Sequence, residues 1–138
     1  MLILRWQGVV QASDVRAARA ELQAVARVYP RGVAMVSIVS PAVRFGVLDD
    51  ATRTEAQLLM SSRDIPIVAS AVVFETRGFG GAILGGIVSG IALVAGPSRP
   101  IRVFTEVSLA EQWLAEQMGS LSLHRAGELT EAVAAQPW

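Results

Sequence analysis

The chain has 138 residues, 12 basic and 12 acidic side chains, and no cysteine. That length fits one domain with a core of its own, and the missing cysteines exclude disulfides, thiolate zinc sites and a cysteine nucleophile. All 12 basic residues are Arg, scattered along the chain, and aromatics make up only 6%, so there is neither a basic stripe nor a stacking platform for nucleic acid.

Residues 2–7, LILRWQ, read as a strand ending at Gly8; the apolar run is too short, and Arg5 interrupts it too early, for a secretory signal. Ser13 and Asp14 then offer an N-cap. Val15, Ala18, Leu22, Val25 or Ala26, and Tyr29 recur at helical spacing until Pro30 and Gly32 stop the helix. VAMVSIV, 33–39, is uncharged and too short for a helix, the pattern of a strand buried on both faces. After an irregular stretch, Asp49 and Asp50 open a second helix, 51–62, where acidic residues suit the positive end of the helix dipole. A third strand follows at 67–75, a glycine-rich apolar segment at roughly 78–95, and a fourth strand at 101–105. Ser108 is expected to cap a helix ending at Met118, with Glu111 at the capping-box position.

Strand and helix thus alternate four times over residues 2–118. The pattern predicts an α/β fold of four βα units, with a largely parallel sheet and helices packed on it. Residues 119–138 are small and polar and read as a flexible tail with one short helix, ELTEAVAAQ. The sharper reading is a docking peptide anchored by Leu129, Val133 and Trp138.

Hydrophobicity is the unusual bulk quantity. The apolar fraction is 52% before glycine is added, with mean hydropathy +0.46. Average soluble domains reach about 45–50% with glycine included. The excess concentrates in FGGAILGGIVSGIALVAG, 79–96, 18 residues without a charge. A phosphate loop is a poor fit, since there is no Lys for a Walker motif and Ile83 stands where a dinucleotide fingerprint needs its third glycine. A membrane helix of this length would span roughly 27 Å, marginal against a core of about 30 Å. Its GxxxG pairs, Gly81/Gly85 and Gly86/Gly90, suit close helix contact, but removing the segment would break the βα rhythm. The favoured reading is a closely packed helix apolar all round, its outer face covered by a second copy. Phe79, Ile83, Leu84, Gly85, Gly86, Ile87, Gly90, Ile91 and Val94 form that expected interaction face.

Little catalytic chemistry survives the census. The one histidine, His124, falls in the expected tail, and no Ser-His-Asp constellation is legible. Asp49-Asp50 is explained by helix capping, so no metal site and no cofactor are expected. In open parallel sheets, ligands bind beyond the strand C-termini. Glu75 and Glu106 lie at two such ends, and Arg44 and Phe45 follow a third, which makes them ligand candidates.

The opening GVVQASDVRAARAEL and the stretch RVFTEVSLAEQWL, 102–114, with Phe104, Ala110, Trp113 and Leu114, resemble small bacterial STAS and CRAL-TRIO-like proteins of the SpoIIAA-like fold. The resemblance covers residues 2–118. It implies a non-catalytic regulatory or ligand-binding domain acting through a helix face or apolar groove. The phosphorylatable turn of that family has no counterpart in VLDDATRTEA, so neither Thr52 nor Thr54 inherits its role. The expectation is therefore a cytoplasmic, non-enzymatic interaction module that forms a homodimer through 79–95 and binds an unidentified protein partner. A lipid or apolar-ligand carrier with peripheral membrane contact is the alternative, and a carboxylate enzyme at the strand ends is the third reading.

Overall fold

Four short runs rich in β-branched residues and alanine pair side by side. In the computed structural model, which describes residues 1–43, 49–75, 99–119 and 127–135, they are β1 (Leu2–Trp6), β2 (Val33–Val39), β3 (Ile67–Phe74) and β4 (Ile101–Phe104). The sheet order is β1-β2-β3-β4 and every pair is parallel, as the alternation of strand and helix predicts. Consecutive parallel neighbours joined by right-handed crossovers place their connecting helices on one face. Helices α1 (Ala12–Val28) and α2 (Asp50–Ser61) pack against each other accordingly. Helices α3 (Val107–Met118) and α4 (Glu128–Ala134) cover the opposite face.

The central strands explain the uncharged sequence. All seven residues of β2 are buried, because helices lie over both of its faces. Its alternate residues serve different cores. Val33 and Met35 join Val15, Leu22 and Leu59 beneath α1 and α2, whereas Ala34, Val36 and Ile38 join Ala110 and Leu114 beneath α3. A register shift between Val33 and Ala34 gives β3 one extra residue, so Ile67 belongs to the first core and Ala69 to the second.

The helix starts follow the capping expectations with two corrections. Helix α1 begins one residue before Ser13; its N-cap is Gln11, whose amide donates to Asp14 Oδ2 at 2.9 Å. In α2, Asp49 is the N-cap and accepts from the Thr52 amide at 2.7 Å. That amide, and secondarily the Thr52 hydroxyl, hold the Asp49 carboxyl below its ordinary value. Thr52 itself is 2% exposed, so its hydroxyl is closed to a modifying enzyme while the helix is folded. The second correction concerns α3. It starts at Val107 with Glu106 at the N-cap position, and the expected Ser108–Glu111 capping box gives way to a different use of the Glu111 carboxylate.

That use accounts for a difference at the C-terminus. The sequence suggested a flexible tail from residue 119 with one short helix, ELTEAVAAQ; that helix is α4, and it is packed, with Leu129 1% and Val133 7% exposed, while Trp138 lies outside the described residues. Glu111, buried in α3, accepts from the amides of Leu129 (3.0 Å) and Thr130 (3.4 Å) and from the Thr130 hydroxyl (2.7 Å). Arg5 of β1 donates to the Val133 carbonyl at 2.6 Å, at the other end of the helix. A carboxylate at the N-terminal amides and a guanidinium at the C-terminal carbonyls satisfy groups that a helix this short leaves unpaired. Gly127 precedes it at φ +90°, a left-handed conformation suited to glycine.

Candidate functional site

The carboxyl edge of the sheet is where the sequence places a site, and two of its four edge candidates can be located. The edge is built by backbone links between neighbouring strand ends. Ser40 N donates to Trp6 O at 3.1 Å, and Glu75 N donates to Val39 O at 3.2 Å. A tight turn follows β2: Ser40 Oγ accepts from the Ala42 amide at 3.1 Å, and Ser40 O accepts from the Val43 amide at 3.0 Å. Beneath the edge, buried Val39, Val43, Val72 and Phe74 form an apolar floor, extended by half-buried Trp6, Val10, Ile101 and Val103.

Glu75 and Glu106 follow neighbouring strands, β3 and β4, at this edge. Val73 pairs with Phe104, and each glutamate lies two residues further along its chain. The parallel register therefore brings both to the β3–β4 end of the edge. Glu75 is half-buried and engaged in an interaction with its surroundings. Glu106 is exposed and starts α3; its carbonyl accepts from the Ala110 amide at 3.3 Å, while its side chain makes no capping hydrogen bond. Arg44 and Phe45 lie outside the described residues. So does the whole expected interaction face, Phe79, Ile83, Leu84, Gly85, Gly86, Ile87, Gly90, Ile91 and Val94, as does His124.

Chemically, the described part of this edge offers carboxylates and hydroxyls. The Ser40 hydroxyl is occupied as an acceptor in its turn. Among the described residues, no group of three or more His, Asp or Glu side chains is arranged to hold a metal ion. No helix among them is long and apolar enough to cross a membrane.

A second concavity lies at the opposite, amino edge and was missed in the sequence. It is a shallow cleft of ≈ 490 Å³ where α1 and α2 end, lined by Gln23, Arg27, Pro30, Arg63, Asp64 and Pro66, among others. Gln23 Nε2 donates to Asp64 Oδ2 at 3.3 Å across it. Nearby, Arg99 donates to the carbonyls of Met60 and Ile65 at 3.3 Å each, and also to that of Ser62. Two helix C-termini direct their last carbonyls to this end, where Arg99 and the Ser61 and Ser62 hydroxyls donate to those of α2 and guanidinium groups offset negative partial charge. The same partial charge works against an anionic ligand, and the cleft reads as a neutralised pair of helix ends. The available signal was Arg27 in the last turn of α1 and Arg63 just beyond α2.

Compared with protein-family models, with curated proteins and with solved structures, the chain matches none.

Proposed function

We propose that the chain is a non-catalytic interaction module that self-associates through the glycine-rich apolar segment 79–95. The observation that carries this reading is a contrast in apolar patterning. Each described helix buries one stripe: Val15, Ala18 and Leu22 in α1, Thr52 and Leu59 in α2, Ala110, Glu111 and Leu114 in α3, Leu129 and Val133 in α4. Their outer faces are polar, and the large apolar side chains exposed among the described residues, such as Val28, Leu58 and Leu109, are scattered over three helices. Residues 79–96 instead carry no charge at any position. A segment apolar on every side needs cover on every side, and a second copy of the same chain is the simplest cover. Paired GxxxG spacings allow two backbones to approach closely enough to offset the helix-weakening glycines, each about 1 kcal/mol.

The test is the molar mass in solution, by light scattering on a sizing column without detergent. A monodisperse dimer supports the proposal, and Gly85→Leu or Gly86→Leu is expected to shift it to monomer by overpacking the contact. Circular dichroism of each variant separates loss of the contact from loss of the fold. A wild-type monomer at all concentrations would end the self-association reading. Protein that stays heterogeneous until lipid or detergent is added would favour the lipid or apolar-ligand carrier.

A further inference from the structure

The face of the sheet beneath α3 and α4 is closed by two helices of unequal standing. Helix α3 has 12 residues and packs on β2, β3 and β4. Helix α4 has seven residues, packs mainly on α3, and buries only Leu129 and Val133. A helix this short has no stability of its own in water, so its helical state depends on the groove that holds it. The groove is specific at three points. The Glu111 carboxylate receives the first amides and the Thr130 hydroxyl, the core beneath takes two apolar side chains four residues apart, and Arg5 takes a carbonyl of the last turn.

The ties to Glu111 and Arg5 come from far along the chain, 18 residues away for Glu111 to Leu129 and 128 for Arg5 to Val133. No β-ladder links α4 to the sheet. Removing α4 breaks these ties while leaving every strand pair, α1, α2 and α3 intact. It uncovers the part of this core to which Leu129 and Val133 belong.

We infer that α4 is a displaceable strap, which leaves its groove as a unit while the sheet stays folded. This does not depend on the role given to residues 79–95, because none of the groups involved lies there.

Amide hydrogen exchange on the intact chain tests it residue by residue. The Leu129 and Thr130 amides are expected to exchange at least ~100-fold faster than those of β2 and β3, through an opening confined to 128–134. Thr130→Val, at an exposed position, removes one donor to Glu111 and should speed exchange in α4 alone, by roughly tenfold. Glu111→Gln should do the same more strongly. If the α4 amides exchange together with β2 and β3 in the wild type and in Thr130→Val, α4 is part of the cooperative core and the strap is refuted.

Discussion

The two faces of the sheet differ in the strand side chains they offer to the helices. Beneath α1 and α2 the strands contribute the bulk, with Leu2, Leu4, Val33, Met35 and Ile67 meeting Val15, Leu22 and Leu59. Beneath α3 and α4 the central strands contribute Ala34, Ala69 and Ala71 beside Val36, Ile38 and Val73, and the helices add Ala110, Leu114, Trp113, Leu129 and Val133. Phe104 at the end of β4 joins them, its ring centroid 5.6 Å from that of Trp113, with the Arg102 guanidinium 5.5 Å from the Phe104 centroid. The polar ties differ as well. The α1–α2 seam carries the Arg16–Glu55 ion pair at 2.8 Å, with Arg16 65% exposed. The α3–α4 seam carries a buried carboxylate with three donors. The strands of the first face bring no alanine to their core, whereas those of the second bring three, at Ala34, Ala69 and Ala71.

The largest expected effect is on the first face. Leu22→Ala should cost about 4 kcal/mol in denaturant unfolding, because a fully buried leucine leaves a cavity between α1 and the sheet. The matching change on the second face, Leu129→Ala, should cost about 2 kcal/mol, since α4 can let go and so limit the loss. Equal costs would make the two faces equivalent and erase the contrast.

Enlarging an alanine tests the close approach of α3. Ala71→Leu should destabilise by about 3 kcal/mol and shift Trp113 emission, whereas Met35→Leu on the other face should stay within about 1.5 kcal/mol. Glu111→Ala should cost about 2 kcal/mol in the same unfolding measurement, leaving the first turn of α4 without acceptors. Its counterpart at the α1–α2 seam, Glu55→Ala, should cost only about 0.5 kcal/mol and be insensitive to burial, as an exposed pair is.

The smallest effect is a pH dependence at α2. The Asp49 carboxyl has a folded pKa lowered from 3.8, so its contribution is complete above that value and is lost as pH falls through the lowered one. The difference in thermal midpoint between wild type and Asp49→Ala should therefore be full at neutral pH and narrow on acidification. A gap that widens below pH 4 would contradict the assignment.

What could be read from the sequence followed from how far each signal reaches. β2 was legible to the residue, because burial on both faces forbids charge along the whole strand. The placement of Glu75 and Glu106 at one edge was legible too, since alternating strands and helices imply a parallel sheet whose strand ends align. Glu111 was misread for a physical reason. Ser108 and Glu111 have capping-box spacing, but the carboxylate is taken by amides 18 residues downstream, which no local pattern reveals. The α4 segment looked like a tail because its anchors, Glu111 and Arg5, sit in other elements. The cleft at the ends of α1 and α2 left only Arg27 and Arg63 as a trace, because its shape exists only once the two helices lie side by side.

The bond between Arg5 and Val133 makes neighbours of residues 128 positions apart. On a ribosome, β1 emerges long before its partner. Until residues 107–134 are released, Ala34, Val36, Ile38, Ala71 and Val73 form an uncovered apolar surface on an otherwise pairable sheet. Synthesis therefore opens an interval in which this face is available to chaperones, or to another nascent chain. The interval closes when the final helix arrives.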